Sequence, residues 1–194
     1  MVTTVGLRER KKLAAMRRIQ QIALDLFDER GFDNVTIEQI AEVAEVSPSS
    51  VYRYFGTKEQ VVLWDEVDVR FFDTVEAELA SHPPVDAMRR AISVAMPQYF
   101  DRDDDLAKRK TRYAFEEPAL RAALLEQTDL LTRRVAEALA RAAGQPVDEL
   151  EPQVIATTLI AVMMAAARHW HAHGYRTPIG EELERALAIV ERGL

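Results

Sequence analysis

The chain has 194 residues, 48 % hydrophobic and 29 % charged, proportions ordinary for a globular protein and enough to bury a core without metal or disulfide. It contains no cysteine, which excludes disulfide scaffolds, thiolate nucleophiles, zinc ribbons and Cys-ligated iron–sulfur clusters, and suits a reducing cytoplasm. The net charge of −7 argues against a general phosphate binder, but it is unevenly spread. Residues 1–18 carry six Lys/Arg and one Glu (+5), and residues 1–58 carry nine against eight (+1), so residues 59–194 carry −8. A basic start joined to an acidic body implies a localised contact with a polyanion.

Seven glycines, eight prolines and few alternating β-branched runs predict an all-helical chain. Ile19, Ile22, Ala23, Leu26 and Phe27 form the stripe of a first amphipathic helix, closed by Gly31. Thr36 and Gln39 form a capping box that opens a short second helix, with Ile37, Ile40, Ala41 and Ala44 facing inward. Ser47 caps a third helix with Pro48 in its first turn and Val51 and Phe55 as its buried pair. Thr57 caps a fourth, read as one long helix whose stripe is Val61, Trp64, Val67, Phe71, Val75 and Leu79. Further helices are predicted over about 84–100, 103–115, 118–143, 150–173 and 180–193. The longest uncharged apolar stretch, residues 154–167, has 14 residues. A bilayer span needs about 20, so this reads as a buried helix, with neither signal peptide nor membrane partner expected.

Two short helices over residues 36–55, separated by Glu45-Val46-Ser47 and backed by a longer helix, make a helix-turn-helix. The second is fixed by Val51 and Phe55 and leaves Ser49, Ser50, Tyr52, Arg53 and Tyr54 near its open face, where hydroxyls reach phosphates or base edges and an arginine reads guanine. The run 22–33, then Val35-Thr36-Ile37-Glu38-Gln39-Ile40-Ala41, then residues 46–59 (Val46-Ser47-Pro48-Ser49-Ser50-Val51-Tyr52-Arg53-Tyr54-Phe55-Gly56-Thr57-Lys58-Glu59), resembles the N-terminal domain of the Tet repressor family. The resemblance covers residues 17–62 with its motif spacing intact. It implies an N-terminal three-helix DNA-binding domain (1–58, with a basic N-terminal arm) and a C-terminal helical domain for effector binding and dimerisation (59–194). The function it implies is a cytoplasmic, sequence-specific transcriptional regulator, a repressor released from double-stranded operator DNA by a small, largely apolar effector. One position departs from the pattern. The family places glycine where this chain has Glu45, which costs on the order of 1 kcal/mol if the turn needs positive φ.

The DNA-binding candidates are therefore Thr36, Ser47, Pro48, Ser49, Ser50, Tyr52, Arg53, Tyr54 and Lys58, with Arg8, Lys11, Lys12 and Arg17 from the arm. Tyr52 and Tyr54 also fit as core aromatics; the resemblance favours both near DNA. Aromatic, thioether and neighbouring side chains after residue 59 are core by default, and the resemblance implies that some line a cavity. The effector candidates are Trp64, Phe71, Met88, Ile92, Met96, Tyr99, Phe100, Leu124, Thr128 and Met163, with Arg109, Arg112 or Tyr113 as polar anchor.

His169 and His173 share a helix face and His171 does not; with no HExxH pattern, no carboxylate suitably close in sequence, and neither phosphate loop nor nucleophile elbow, no metal, cofactor or catalytic residue is expected. An enzyme would need an acid/base constellation, and a structural DNA-binding adaptor would lack a cavity. A single recognition helix reads few base pairs, so a two-fold homodimer is expected, with its seam on Ala161 and Ala165 (beside Ala156, Thr157 and Ala166) and on Leu183, Leu187 and Val190 (beside Ile179). The long fourth helix would be the continuous lever between body and DNA-reading segment.

Overall fold

The computed structural model describes residues 6–100 and 104–193, except the side chains of Leu7, residues 66–70, residues 95–100 and Asp104. The described residues form ten α-helices: α1 Leu7–Arg30, α2 Ile37–Val43, α3 Pro48–Phe55, α4 Lys58–Leu63, α5 Glu66–Leu79, α6 Pro84–Phe100, α7 Asp104–Glu116, α8 Pro118–Ala143, α9 Leu150–Ala172 and α10 Ile179–Glu191. A 3-10 turn, Phe32–Asn34, joins α1 to α2.

Local chemistry sets most of these ends. Thr36 and Gln39 form the reciprocal capping box of α2. Ser47 accepts from the Ser50 amide with Pro48 in the first turn of α3, and Thr57 accepts from the Gln60 amide at the start of α4. α8 opens on Pro118 and closes on Gly144 in the left-handed region, φ 64°. Glu45 also sits there, at φ 55°, so the turn does demand the conformation for which glycine is the usual residue.

The fourth helix is not continuous. It stops at Leu63, Trp64 turns extended (φ −59°, ψ 133°), and α5 starts again at Glu66 with Asp65 in its N-cap position. The apolar stripe runs straight across this break, so periodicity cannot reveal it. The cause is a residue 44 positions earlier: the side chain of Gln20 on α1, 2 % exposed, donates to the carbonyls of Val61, Val62 and Trp64 at 2.9, 3.2 and 2.7 Å. Those carbonyls would otherwise seek amides one turn further on.

Two apolar clusters result. One joins Leu24, Phe27, Ile40, Val51 and Phe55 to Val61–Leu63 of α4 and, from far along the chain, to Tyr113, Ala114 and Leu120. The other fills the space among α5, α6, α8, α9 and α10 around Phe71, Met88, Leu159 and Leu187. The N-terminal cluster thus takes in α4 and the α7–α8 corner as well as residues before 59. α9 buries Ala156, Leu159, Ile160, Val162, Ala166 and Trp170 but leaves Leu150, Val154, Thr157, Ala161 and Ala165 open to solvent, a stripe at helical spacing. The buried helix expected over 154–167 is buried on one side, with the other open to solvent.

Candidate nucleic-acid interface and adjoining cavity

On α3, Val51 and Phe55 are 0 % and 8 % exposed and clamp the helix to the core. Its outer side presents Ser47, Pro48, Ser49, Tyr52 and Arg53, with Ser50 and Tyr54 half-buried. The Ser47 hydroxyl lies 2.9 and 2.8 Å from those of Ser49 and Ser50, and Arg53 Nη2 donates to Ser50 at 3.3 Å while its guanidinium stacks over Tyr54. Tyr54 is thus both a core aromatic against Phe55 and a partner of Arg53. The Tyr52 hydroxyl donates to Glu38 on α2 at 3.2 Å, which pushes the phenol up; the Glu38 carboxyl is held down by its own backbone amide first and then by Thr36 and Tyr52. Thr36 is exposed at the start of α2.

Arg8, Lys11, Lys12 and Arg17 are exposed on the first turns of α1, so the basic arm from Leu7 onward is helical. Lys58 is placed differently from expectation. Its ammonium donates to the carbonyls of Phe32 and Val35 at 2.7 and 3.0 Å and lies over the Phe32 ring, so in this structure it ties α4 to the turn before α2 instead of standing free for phosphate.

α7 joins this unit to the body. Arg109 reaches Asp25 and Asp28 of α1 at 2.8 and 2.6 Å, Arg112 pairs with Asp28, and the Tyr113 hydroxyl donates to Asp28 at 2.7 Å. Burial opposes the charge on Asp28, but the Tyr113 hydrogen bond and the two guanidinium groups outweigh it and hold the carboxyl below its ordinary range. Burial, then the bond to Asp28, pushes the Tyr113 phenol up to about 12. Arg109, Arg112 and Tyr113 thus hold α1, and none of them lines the cavity described next.

On another side of α7, a cavity of about 260 Å³ opens among α4, α5, α7, α8, α9 and α10. Of the expected effector residues, Phe71, Leu124, Thr128 and Met163 line it. Trp64, Met88 and Ile92 do not: Trp64 packs edge-on against Phe55 at 5.9 Å, and Met88 and Ile92 are 0 % and 2 % exposed in the body core. Met96, Tyr99 and Phe100 have side chains outside the described residues. The polar groups at the wall are Asp65, Lys110, Thr111, Gln127 and Thr128. Lys110 donates to Asp65 and to the Trp64 carbonyl, both at 2.8 Å. Sequence reading missed it because Lys108-Arg109-Lys110 looks like a solvated charge run, and only the phase of α7 turns Lys110 inward.

The proposed seam is also divided. Ala161 and Ala165 are exposed, and Val190 is half-buried. Leu183 and Leu187 are 4 % and 0 % exposed inside the monomer, and Leu183 lines the cavity, so neither is available to a partner chain. On α10 the exposed positions are instead Glu181, Arg185, Ile189 and Glu191, of which only Ile189 is apolar. His169 lies 3.1 Å from the buried Glu182, and His171 bridges Tyr175 and Glu116. Among the described residues no three His, Cys, Asp or Glu side chains converge as a metal site.

The profile of bacterial regulatory proteins of the tetR family matches residues 19–63, and that of the MftR C-terminal domain matches residues 82–194. The transcriptional regulator TcmR of Streptomyces glaucescens is 30 % identical over 174 residues, covering 86 % of this chain and 77 % of the relative. MftR of Mycobacterium tuberculosis is 24 % identical over 192 residues, 95 % and 93 % of the two chains. Among solved structures, the TetR-family repressor FadR of Thermus thermophilus, in complex with lauroyl-CoA, superposes with a TM-score of 0.58 at 26 % identity, over 92 % of this chain and 94 % of that one. The SmeT–triclosan complex gives 0.61 at 18 % identity over 92 % and 90 %, a likeness of fold. The helix-turn-helix at one end, the helical body with its cavity at the other, and a match to both halves together make this chain a member of the TetR family of DNA-binding transcriptional regulators.

Proposed function

We propose that this protein is a cytoplasmic repressor that binds a two-fold operator as a homodimer and leaves it when a small, largely apolar effector enters the cavity. The observation that carries the reading is the double use of α7. One side holds α1 through Arg109, Arg112 and Tyr113, and another side lines the cavity with Ala107, Lys110, Thr111 and Ala114. A molecule in the cavity therefore touches a helix that grips the DNA-reading unit, without the single long lever that the sequence suggested. FadR and SmeT, of the same fold, are seen in complex with lauroyl-CoA and triclosan, which supports a small-molecule effector.

In this reading Ser47, Pro48, Ser49, Ser50, Tyr52, Arg53 and Tyr54 of α3 meet the major groove, while Thr36 and the first turns of α1 (Arg8, Lys11, Lys12, Arg17) meet phosphates. Small exposed residues on α9, Ala161 and Ala165 with Thr157 and Val154, and Ile189 on α10 form the seam of a four-helix dimer. Half-sites on successive turns require recognition helices about 34 Å apart, so a shift of ångströms breaks register. The test is selection of an operator from a random DNA pool, then titration at moderate salt with and without effector. Equal binding to operator and scrambled DNA overturns the reading, as does a monomer in light scattering at micromolar concentration.

A further inference from the structure

We propose that the cavity takes a small apolar molecule bearing an uncharged hydroxyl, seated on the Lys110–Asp65 pair, and that Lys110 reports its arrival to α4 through the carbonyl of Trp64. The inference rests on the effector role given to the cavity above and adds the chemical class and the reporting atom.

Lys110 and Asp65 are 11 % and 12 % exposed and 2.8 Å apart. Among the described lining residues they are the only ionisable ones; the other described lining residues are aliphatic, aromatic or thioether, with Thr111, Gln127 and Thr128. The pair brings no net charge. A carboxylate entering beside it adds an unbalanced negative charge in surroundings of low dielectric, and an ammonium does the same with opposite sign. A hydroxyl donates to the Asp65 carboxylate and accepts from the Lys110 ammonium, and leaves the balance at zero. The volume, about 260 Å³, falls between the roughly 150 Å³ that holds a benzene ring and the range of about 300–1,000 Å³ common for drug-sized ligands. That suits one or two rings or a medium chain.

The reporting atom follows from the same geometry. The Trp64 carbonyl receives Gln20 from α1 at 2.7 Å and Lys110 from α7 at 2.8 Å, which uses both its lone pairs. The ammonium has three N–H donors, and a hydroxyl seated between Asp65 and Lys110 draws it towards the ligand and away from that carbonyl. When Lys110 turns to the ligand, the end of α4 keeps its tie to α1 and loses its tie to α7. The Trp64 ring rests on Phe55, the last residue of the recognition helix, so the loss is felt there.

Calorimetry on the full chain at pH 7 with 2-naphthol, 2-naphthoate, 1-decanol and decanoate tests the class. The alcohol of at least one scaffold binds ten-fold or more tighter than its acid, and Asp65→Asn, checked for folding by circular dichroism, reverses that order because Lys110 is left without its carboxylate. Acids binding as well as alcohols, no alcohol binding, or an unchanged order in D65N overturns it. Hydrogen exchange tests the relay: α4 amides exchange faster with the alcohol bound, and unchanged exchange overturns it. If the alcohol shows the expected order yet leaves operator affinity unaltered, effector release fails while the ligand class stands.

Discussion

Arg18 on α1 and Glu45 in the α2–α3 turn form an ion pair with 2.9 Å between guanidinium and carboxylate, and Glu45 makes it from the left-handed region, φ 55°. The residue that departs from the family's glycine is thus strained in its backbone and tied in its side chain, and the tie neutralises a basic residue on α1. The two effects oppose each other in size. Glycine relieves about 1 kcal/mol of backbone strain. The pair is 57 % and 78 % exposed and contributes only a few tenths of a kcal/mol. Glu45→Gly therefore stabilises the protein by roughly 0.5 kcal/mol, read as a higher urea midpoint with unchanged slope. It also tightens binding to any DNA at low salt, because Arg18 is released.

Lys58 divides two accounts of the end of the DNA-reading unit. If its ammonium met a phosphate, its loss would lower the salt slope of DNA binding by about 0.9. Its bonds to the Phe32 and Val35 carbonyls predict instead that Lys58→Met keeps the slope and costs about 1–3 kcal/mol in stability, since the Val35 carbonyl loses its ammonium donor and that of Phe32 keeps only the Val35 amide. Binding isotherms at four salt concentrations, beside urea unfolding, separate the two.

Gln20→Met fills the same space and removes the donor that ends α4. The carbonyls of Val61 and Val62 are left without it and that of Trp64 keeps only Lys110, so a loss of about 2–3 kcal/mol is expected. Amides of α4 should lose exchange protection first. A variant with wild-type stability would mean that water replaces the amide.

The burial of Tyr113, and after it the bond to Asp28, sets an alkaline limit. Tyr113 has its folded pKa raised to about 12 against an ordinary 10, so its contribution is complete below pH 10 and is lost as pH climbs towards 12. Wild type should lose about 2 kcal/mol more than Tyr113→Phe across that window, the variant having no phenol at 113 to ionise. Parallel denaturation curves at pH 9 and pH 11.5 check it; equal losses in both proteins would show that neither burial nor the bond to Asp28 holds the phenol protonated.

The sequence by itself determined every element whose ends are set within about four residues of chain. Thr36 with Gln39, Ser47 with Pro48, and Gly144 after α8 make their capping bonds locally, so the helix-turn-helix and the helices after residue 84 stand within two residues of their expected ends. Only the tertiary structure decided what depends on a distant partner. The break at Trp64–Asp65 follows from Gln20, 44 residues away, against an unbroken apolar stripe. Arg109, Lys110, Arg112 and Tyr113 are near neighbours on α7, yet three of them hold α1 and Lys110 enters the cavity. Leu183 and Leu187 read the same as Ile189 in composition, but α10 packs with the first two inward and the third out. A helical period tells which residues share a face; which neighbour covers that face is settled only when the helices meet.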